Sequence, residues 1–566
     1  MLIEIQSDAF KGKGIKNGKI TFHKGLNTIV ATETANNSTG KTSLLLAIDF
    51  VFGGKAYGEP TAKIVENVGH HTINFAFDFS GEKLYFSRST QTLDKVTICN
   101  SDYSVVKEIS LENYCEILTE KYGFEDKTLT LRGAVSPYLR ISHKSSKDLT
   151  VFLKGSSNSN ARDCVISFEK LFNRYDEIKN EKLKADDAVK ANETFKEAVR
   201  RNFIPSHIRK ESDLKEVQKK IENIKTELSE IAKIKDEQIL SFDLSKTKKL
   251  KDLEQKYRTV SSKKTKLENK IAVAEHSLEG LNAPTKEELS VLQSYFPSVN
   301  VKKVYAVERF HESLAEVLKL QITDEIQYLS MQLRQTNLDY EAIKNEYEKM
   351  LPDGTVSKAS FDAYGEKFLE LQRLYDSIEN YKKGKEIAAE DIAAKRMLNT
   401  KEIDVLCKIS EQINHNMALL NKTVQDGIWK NPFLAFIPPK TDRAKGISNY
   451  ALSSGTDTGD GTESANIIMF DLSVLKMTKL PVIAHDLFVR SELDEKRKED
   501  CIKLYATETE KQIFTAFRAI KNYTPEIQNL IEENSVLKLF VGGGELYGTD
   551  KWTKNAEENT ELTNSK

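Results

Sequence analysis

The sequence predicts a mixed α/β protein in which two terminal blocks of strands and helices flank a long antiparallel coiled-coil hairpin. Three observations carry this. The first hundred residues and those after 430 alternate short apolar runs with turn residues. From about 166 to 430, apolar side chains step by three and four residues, the heptad spacing of coiled coils. Finally, "TANNSTGKTSLLLAIDFVFGG" (34–54) joins a strand-like run to an amphipathic helix through a glycine-bearing loop.

In the N-terminal block, "GLNTIVA" (25–31) reads as an apolar strand leading into that loop. Beyond Lys41, the residues Leu44, Leu45, Ile48, Val51 and Phe52 share one helical face until Gly53-Gly54 stop it. "TINFAFDF" (72–79) alternates Ile73, Phe75, Phe77 and Phe79, a half-buried strand, and "GEKLYFSRS" (81–89) is its hairpin partner. His70 and His71, placed on a strand, would face opposite ways, which favours a structural over a metal role.

The middle repeats its pattern four times: Leu214, Val217, Ile221, Ile224, Leu228 and Ile231; Leu250, Leu253, Tyr257, Val260 and on to Leu281; Ile326 to Met350; and Phe361, Tyr364, Phe368, Leu371, Tyr375 and Ile378. The proline-bearing break 281–303 has similar helix lengths on each side, so the chain is expected to fold back on itself. "LPDGT" (351–355) and an irregular stretch at 235–249 interrupt the arms at comparable distances from the tip. A parallel dimer of long helices is the alternative, but it requires no matched arms. The tip has no CxxC, and Leu289, Val291, Leu292, Tyr295 and Phe296 are expected to close the hairpin on themselves or form a small apolar contact.

After 430, "GISNYALSSGTDTGDGTES" (446–464) reads as a loop and "ANIIMFDLSVLKM" (465–477) as an apolar helix. "LPVIAHD" (480–486) is a buried strand ending in an acid, "KQIFTAF" (511–517) is another strand, and the tail beyond 551 is polar.

Bulk properties bound the function. A chain of 566 residues exceeds one ordinary core, so several units are expected. Lys+Arg of 84 against Asp+Glu of 85 means that any polyanion contact must come from a local patch. The 30% charged residues with only 11 prolines suit long charged helices. "MLIEIQSDAF" lacks the basic-then-apolar pattern of a signal peptide, and no uncharged apolar run approaches membrane-spanning length, so a cytoplasmic location is expected. Cys99, Cys115, Cys164, Cys407 and Cys501 are far apart, suggesting neither disulfides nor a zinc site.

The chemistry lies in the loop. Successive backbone N–H groups at a helix N-terminus bind phosphate, a lysine neutralises the β- and γ-phosphates, and the next hydroxyl ligates Mg²⁺. Asn37, Ser38, Thr39, Gly40, Lys41, Thr42 and Ser43 supply these groups for a nucleoside triphosphate, although Ala35 replaces the first glycine of the usual pattern. Asp486, ending an apolar strand, fits the acid that holds Mg²⁺; the alternative is an aspartate capping the next segment.

The order of phosphate loop, coiled-coil hairpin, Gly/Ser loop, helix, apolar strand and acid resembles the SMC/RecN class of ABC-type ATPases. The chain is more similar still to bacterial SMC-like proteins with a C-terminal domain of unknown function, some encoded with anti-phage defence systems. The stretches carrying this are "NSTGKTSLLLAIDFVFGG", "LRGAVSPYLR", "DTGDGTESANIIMFDLSVLKMTKLP" and "HDLFVRSELDEKR". The resemblance implies a P-loop ABC-type ATPase head built from both termini, residues 1–165 and 431–550. Between them lie an ascending arm (166–282), a tip (283–305) and a descending arm (306–430), with a polar tail at 551–566. It implies ATP and Mg²⁺ as ligands, Lys41 on phosphate, Thr42 and Asp486 on Mg²⁺, and Asp494 of "SELD" in the D-loop. Two heads would dimerise around two ATPs, each presenting a signature loop to the other's nucleotide. Gly459, Gly461, Thr462 and Ser464 are favoured for that loop over "LSSGT" (452–456), because they lie at a helix N-terminus.

Three departures from the class follow. Leu487 stands after the magnesium acid where a water-activating glutamate is usual, no histidine follows the "KQIFT" strand, and Gln91 is the only glutamine between 43 and 165. Slow turnover is therefore expected, or turnover completed by Glu492, Asp494 or a partner chain. Lys11, Lys13, Lys16, Lys19 and Lys24 cluster near the N-terminus, where SMC-like heads meet DNA, and form either a double-stranded DNA contact or a solvated loop. The expected function is an SMC-like ATPase that acts on or senses DNA in a repair or anti-phage complex, with accessory or effector proteins. The alternative is an ATP-binding scaffold or switch with little hydrolysis.

Overall fold

The computed structural model describes residues 1–31, 39–142, 144, 146, 149–156, 158–201, 204, 208–239, 244–279, 301–350, 355–425, 430–455, 460–486, 495–518 and 520–548. It divides into two compact units, Met1–Ala188 with Glu390–Lys566, and Val189–Ala389.

In the first unit the strands are β1 (Leu2–Gln6), β2 (Lys19–Thr21), β3 (Gly25–Ala31), β4 (Thr72–Phe79), β5 (Glu82–Ser89), β6 (Lys95–Cys99), β7 (Val105–Ser110), β8 (Leu139–Arg140), β9 (Phe433–Ile437), β10 (Asn449–Ser453), β11 (Val482–His485), β12 (Gln512–Arg518) and β13 (Ser535–Leu539). An antiparallel sheet runs β2-β1-β4-β5-β6-β7, and a second sheet, parallel throughout, runs β13-β3-β12-β11-β8. Parallel strands buried on both faces read as continuous apolar runs, as in "TIVA" and "VIAH", and β3 and β11 are buried along their whole length. N-terminal strands β3 and β8 thus pair only with C-terminal ones, so the parallel sheet needs both ends of the chain. One apolar core fills this unit.

The Lys41–Val51 helix starts directly after Gly40. Leu44, Leu45, Ile48, Phe50 and Val51 are all 0% exposed, and each such side chain contributes ~1.5–3 kcal/mol on burial. That anchors the helix, and with it Lys41 and Thr42 at its first turn. Gly53, at φ +87°, ends it, and a Cβ on Gly54 would collide with the Asp49 carboxylate at 1.9 Å.

Elsewhere the C-terminal block departs from expectation. The segment 446–464 is not wholly a loop: β10 pairs antiparallel with β9, Tyr450 opposite Phe436. The apolar helix begins at Asp460, five residues before the expected start, because polar first-turn residues carry no apolar periodicity. Helices Glu495–Ala506 and Pro525–Glu533 were not foreseen. Their burial is sparse, Ile527 and Ile531 in one and Cys501, Ile502, Leu504 and Tyr505 in the other, behind a charged "EKRKED" start. His70 and His71 precede β4 rather than lying in it, and His71 packs edge-on to Tyr57 and Tyr547.

The second unit holds helices Glu211–Ile239, Leu244–Glu279 and Val301–Met350, with parts of Asp176–Arg200 and Thr355–Gln425. Val217, Ile221, Ile224 and Leu228 pack with Leu374 in one apolar seam, as the heptads require. Tyr375, assigned to the stripe from sequence, is instead 45% exposed, because Leu371, Leu374 and Ile378 give the better three-four spacing. Lys225 lies over Tyr375 while Glu227 pairs with Lys367, so the paired positions run in opposite directions: the helices are antiparallel within one chain. Tyr257 meets Tyr340 with ring centroids 4.9 Å apart. Of the irregular stretch 235–249, residues 235–239 and 244–249 are helical and 240–243 lie outside the described residues. The tip residues 281–300 and positions 351–354 of "LPDGT" also lie outside them, as does the tail. No helix among the described residues is long and apolar enough to cross a membrane.

Candidate functional site

Gly40 caps the Lys41–Val51 helix in the left-handed region, φ +98°, where a Cβ would sit 2.5 Å from that of Leu546. The loop needs glycine here for both its backbone and its neighbour. Leu546 donates its N–H to the Thr39 carbonyl at 3.0 Å, so the C-terminal segment clamps the loop's end. Ser43 faces that same segment, at the Tyr547 hydroxyl. Asn37, Ser38 and Ala35 lie outside the described residues.

Beyond the clamp, two predicted site residues far apart in the chain meet. Thr42 Oγ1 donates to Asp486 Oδ2 at 2.9 Å. Asp486 follows β11, and its N–H is bound by the carbonyl of Arg140, the last residue of β8, at 3.0 Å. The Ser142 N–H approaches the same Oδ2 at 3.4 Å. Asp486 Oδ1 is buried with no hydrogen-bond partner among the described residues. A buried carboxylate oxygen left unpaired is costly, and beside a threonine hydroxyl it fits a hard cation with oxygen ligands. Thr42 and Asp486 therefore fit Mg²⁺.

Lys41 is 4% exposed, and among the described residues its ammonium touches Thr39 Oγ1 at 3.4 Å. Burial lowers its pKa, the neighbouring Arg518 lowers it further, and Asp486 opposes both. Arg518 ends β12 opposite Ala31, the last residue of β3. Two cations thus converge at the carboxyl edge of the parallel sheet, an arrangement that favours a bound polyanion. The sequence did not expose Arg518, because its role depends on β12 lying between β3 and β11, an order that only pairing establishes.

Behind the site, Asp49 accepts from Lys144 at 2.7 Å and lies 2.9 Å from Arg132. Burial would raise the Asp49 pKa, but the two cations override it and hold it at about 2. Burial lowers Lys144 to about 8 despite Asp49. Directly beside Asp486, Arg140, Asp471 and His485 form a network with no exposed atom.

Gly461, Thr462 and Ser464 lie in the first turn of the Asp460–Met477 helix, where Arg497 donates to Thr462 Oγ1 at 2.6 Å. Gly459, Leu487, Glu492 and Asp494 lie outside the described residues. Of the five lysines near the N-terminus, all exposed, Lys19 pairs with Glu4 at 2.6 Å and Lys24 with Glu510 at 2.7 Å. All five cysteines are free thiols.

No protein-family model and no curated protein matches the chain. Among solved structures it is similar to an Smc head domain with a coiled coil and joint from Pyrococcus yayanosii, at 14% identity and TM-score 0.39, covering 98% of this chain and 99% of that one. It is also similar to an Smc head domain with an extended coiled coil, bound to the C-terminal domain of ScpA, from Pyrococcus furiosus, at 12% identity and TM-score 0.35, covering 99% of each chain.

Proposed function

We propose that this chain is an SMC-like ATPase that binds ATP with Mg²⁺ at the Lys41–Thr42–Asp486 site and turns it over slowly. The observation that carries this is the Thr42–Asp486 contact beside an unpaired buried Asp486 oxygen, with the Lys41 ammonium buried nearby.

Thr42 and Asp486 would hold Mg²⁺, which when bound neutralises phosphate charge. Thr39, Gly40 and Lys41, with Asn37, Ser38 and Ser43 completing the loop, bind and orient the phosphates through helix N-terminal N–H groups and the lysine. Arg518 adds positive charge at the same edge. The helix first turn carrying Gly461, Thr462 and Ser464, with Gly459 before it, would meet the nucleotide of a second head in a homodimer, and Asp494 would line that interface. The N-terminal lysines would contact double-stranded DNA, and the complex would serve DNA repair or anti-phage defence together with accessory or effector proteins.

A second reading, an ATP-binding switch with little hydrolysis, is favoured by Leu487 standing beside the acid. Steady-state ATPase activity with and without double-stranded DNA, wild type beside Lys41→Ala, separates the two. DNA-stimulated turnover lost in the variant supports the first. Nucleotide-dependent dimerisation without turnover supports the second, and wild type indistinguishable from Lys41→Ala in both assays removes both.

A further inference from the structure

The buried network behind Asp486 forms a closed ring. Asp471, on the Asp460–Met477 helix, accepts from Arg140 Nε at 2.5 Å and Nη2 at 2.7 Å. Its Oδ2 lies 2.8 Å from His485 Nε2, and His485 Nδ1 lies 2.5 Å from the Tyr505 hydroxyl. Tyr505 shares the Glu495–Ala506 helix with Arg497, which donates to Thr462 Oγ1 at 2.6 Å, back on the helix that carries Asp471. Arg140 is held further by the carbonyls of Ser146 at 2.9 Å and Phe152 at 3.1 Å.

Arg140, Asp471, His485 and Tyr505 are each fully buried. A buried ion pair is a poor source of stability, since desolvation offsets much of the attraction, and its better-attested use is to specify one geometry. Here the geometry specified is definite. His485 and Arg140 are partners in the β11–β8 register, and the next residue, Asp486, is bound to the Arg140 carbonyl. One carboxylate therefore grips both strands that hold Asp486. The same carboxylate lies seven residues after Ser464, about two helical turns from the helix's first turn. A shift of Asp486 relative to that turn must break or strain the ring.

We propose that Asp471, His485 and Tyr505 are positioning residues that lock the first turn of the Asp460–Met477 helix to Asp486, so that filling the Mg²⁺–phosphate site and presenting Gly461, Thr462 and Ser464 to a second head are one coupled event. The proposal rests on the ATPase reading and deepens it. All three side chains are fully buried.

The test uses the full chain with Tyr505→Phe, which removes one hydroxyl, and Asp471→Asn, which keeps shape and removes charge. Without nucleotide, amide exchange of residues 461–466 rises about tenfold in both, while exchange in β3, β12 and the Lys41–Val51 helix stays at the wild-type rate. ATP affinity stays within about threefold, and ATP-dependent dimerisation weakens about tenfold, within the usual range of site-to-site coupling. Uniformly faster exchange across the unit marks a merely structural role and overturns the proposal, as does wild-type exchange at 461–466. Parallel loss of ATP binding and dimerisation also overturns it. Wild-type protein that binds no ATP overturns the ATPase reading instead, and first-turn exchange then still decides for or against the ring.

Discussion

Thr42 Oγ1 and Asp486 Oδ2 lie 2.9 Å apart although 444 residues separate them in the chain. The contact exists because β3, which precedes the Lys41–Val51 helix, and β11, which Asp486 directly follows, both pair with β12, so their carboxyl ends open on the same edge. That edge is where ligands bind in open parallel sheets.

Asp486→Asn keeps the side-chain shape and a Thr42 contact but removes the charge that suits a divalent cation. Mg²⁺ should then no longer strengthen ATP binding. Dissociation constants with Mg²⁺ and with EDTA should converge in the variant and differ about tenfold or more in wild type.

Lys41→Ala removes a buried cation that burial and Arg518 both disfavour. ATP affinity should fall about a hundredfold, the scale of one or two charge-assisted hydrogen bonds. The melting temperature without nucleotide should not fall. A variant that melts early yet binds ATP normally would contradict this placement.

Leu487→Glu supplies a carboxylate directly after Asp486. If a missing base limits turnover, steady-state hydrolysis should rise at least about tenfold, since positioned bases contribute ~10²–10⁴. An unchanged rate would mean that another group activates water.

Glu169 is fully buried beside Glu402, which is paired with Arg162. Burial first, and the Glu402 charge second, raise the Glu169 pKa far above an ordinary carboxyl, so it is protonated in the folded protein at neutral pH. The unfolded chain releases that proton near 4.5, so the folded state binds more protons above that pH. Stability from this group is complete below about pH 4.5 and is lost as pH rises toward the folded value, at up to ~1.4 kcal/mol per pH unit. Glu169→Gln should flatten this slope, gaining on wild type in denaturant melts from pH 6 to 9.

Among the N-terminal lysines, Lys19 and Lys24 are paired with glutamates, while Lys11, Lys13 and Lys16 have no ion pair among the described residues. Reversing the latter three to glutamate should weaken DNA binding strongly and flatten its salt dependence by up to ~3 in log–log slope. Reversing Lys19 and Lys24 should cost less. Equal effects would show that the glutamate pairs do not matter to the patch.

Much was legible from local pattern. The β3 run, the helix face of Leu44, Leu45, Ile48 and Val51, the Ile73–Phe77 alternation and the Val217–Leu228 heptads each have a period set by the element itself, so the sequence alone determined them. Gly40, Lys41 and Thr42 stand out for the same reason, as a pattern of fixed local spacing at the start of a helix. What tertiary structure decided was anything needing a neighbour from elsewhere in the chain. Ser142, Lys144 and Arg518 carry no local signal; β8 and β12 flank β11, which brings Ser142 to Asp486 and Arg518 beside Lys41, while Lys144 finds its partner in Asp49. Asp471, His485 and Tyr505 read as polar interruptions in apolar segments, and only packing shows them closing one buried ring. Backbone periodicity is a property of a few consecutive residues, whereas strand order and buried charge pairing are properties of the whole fold.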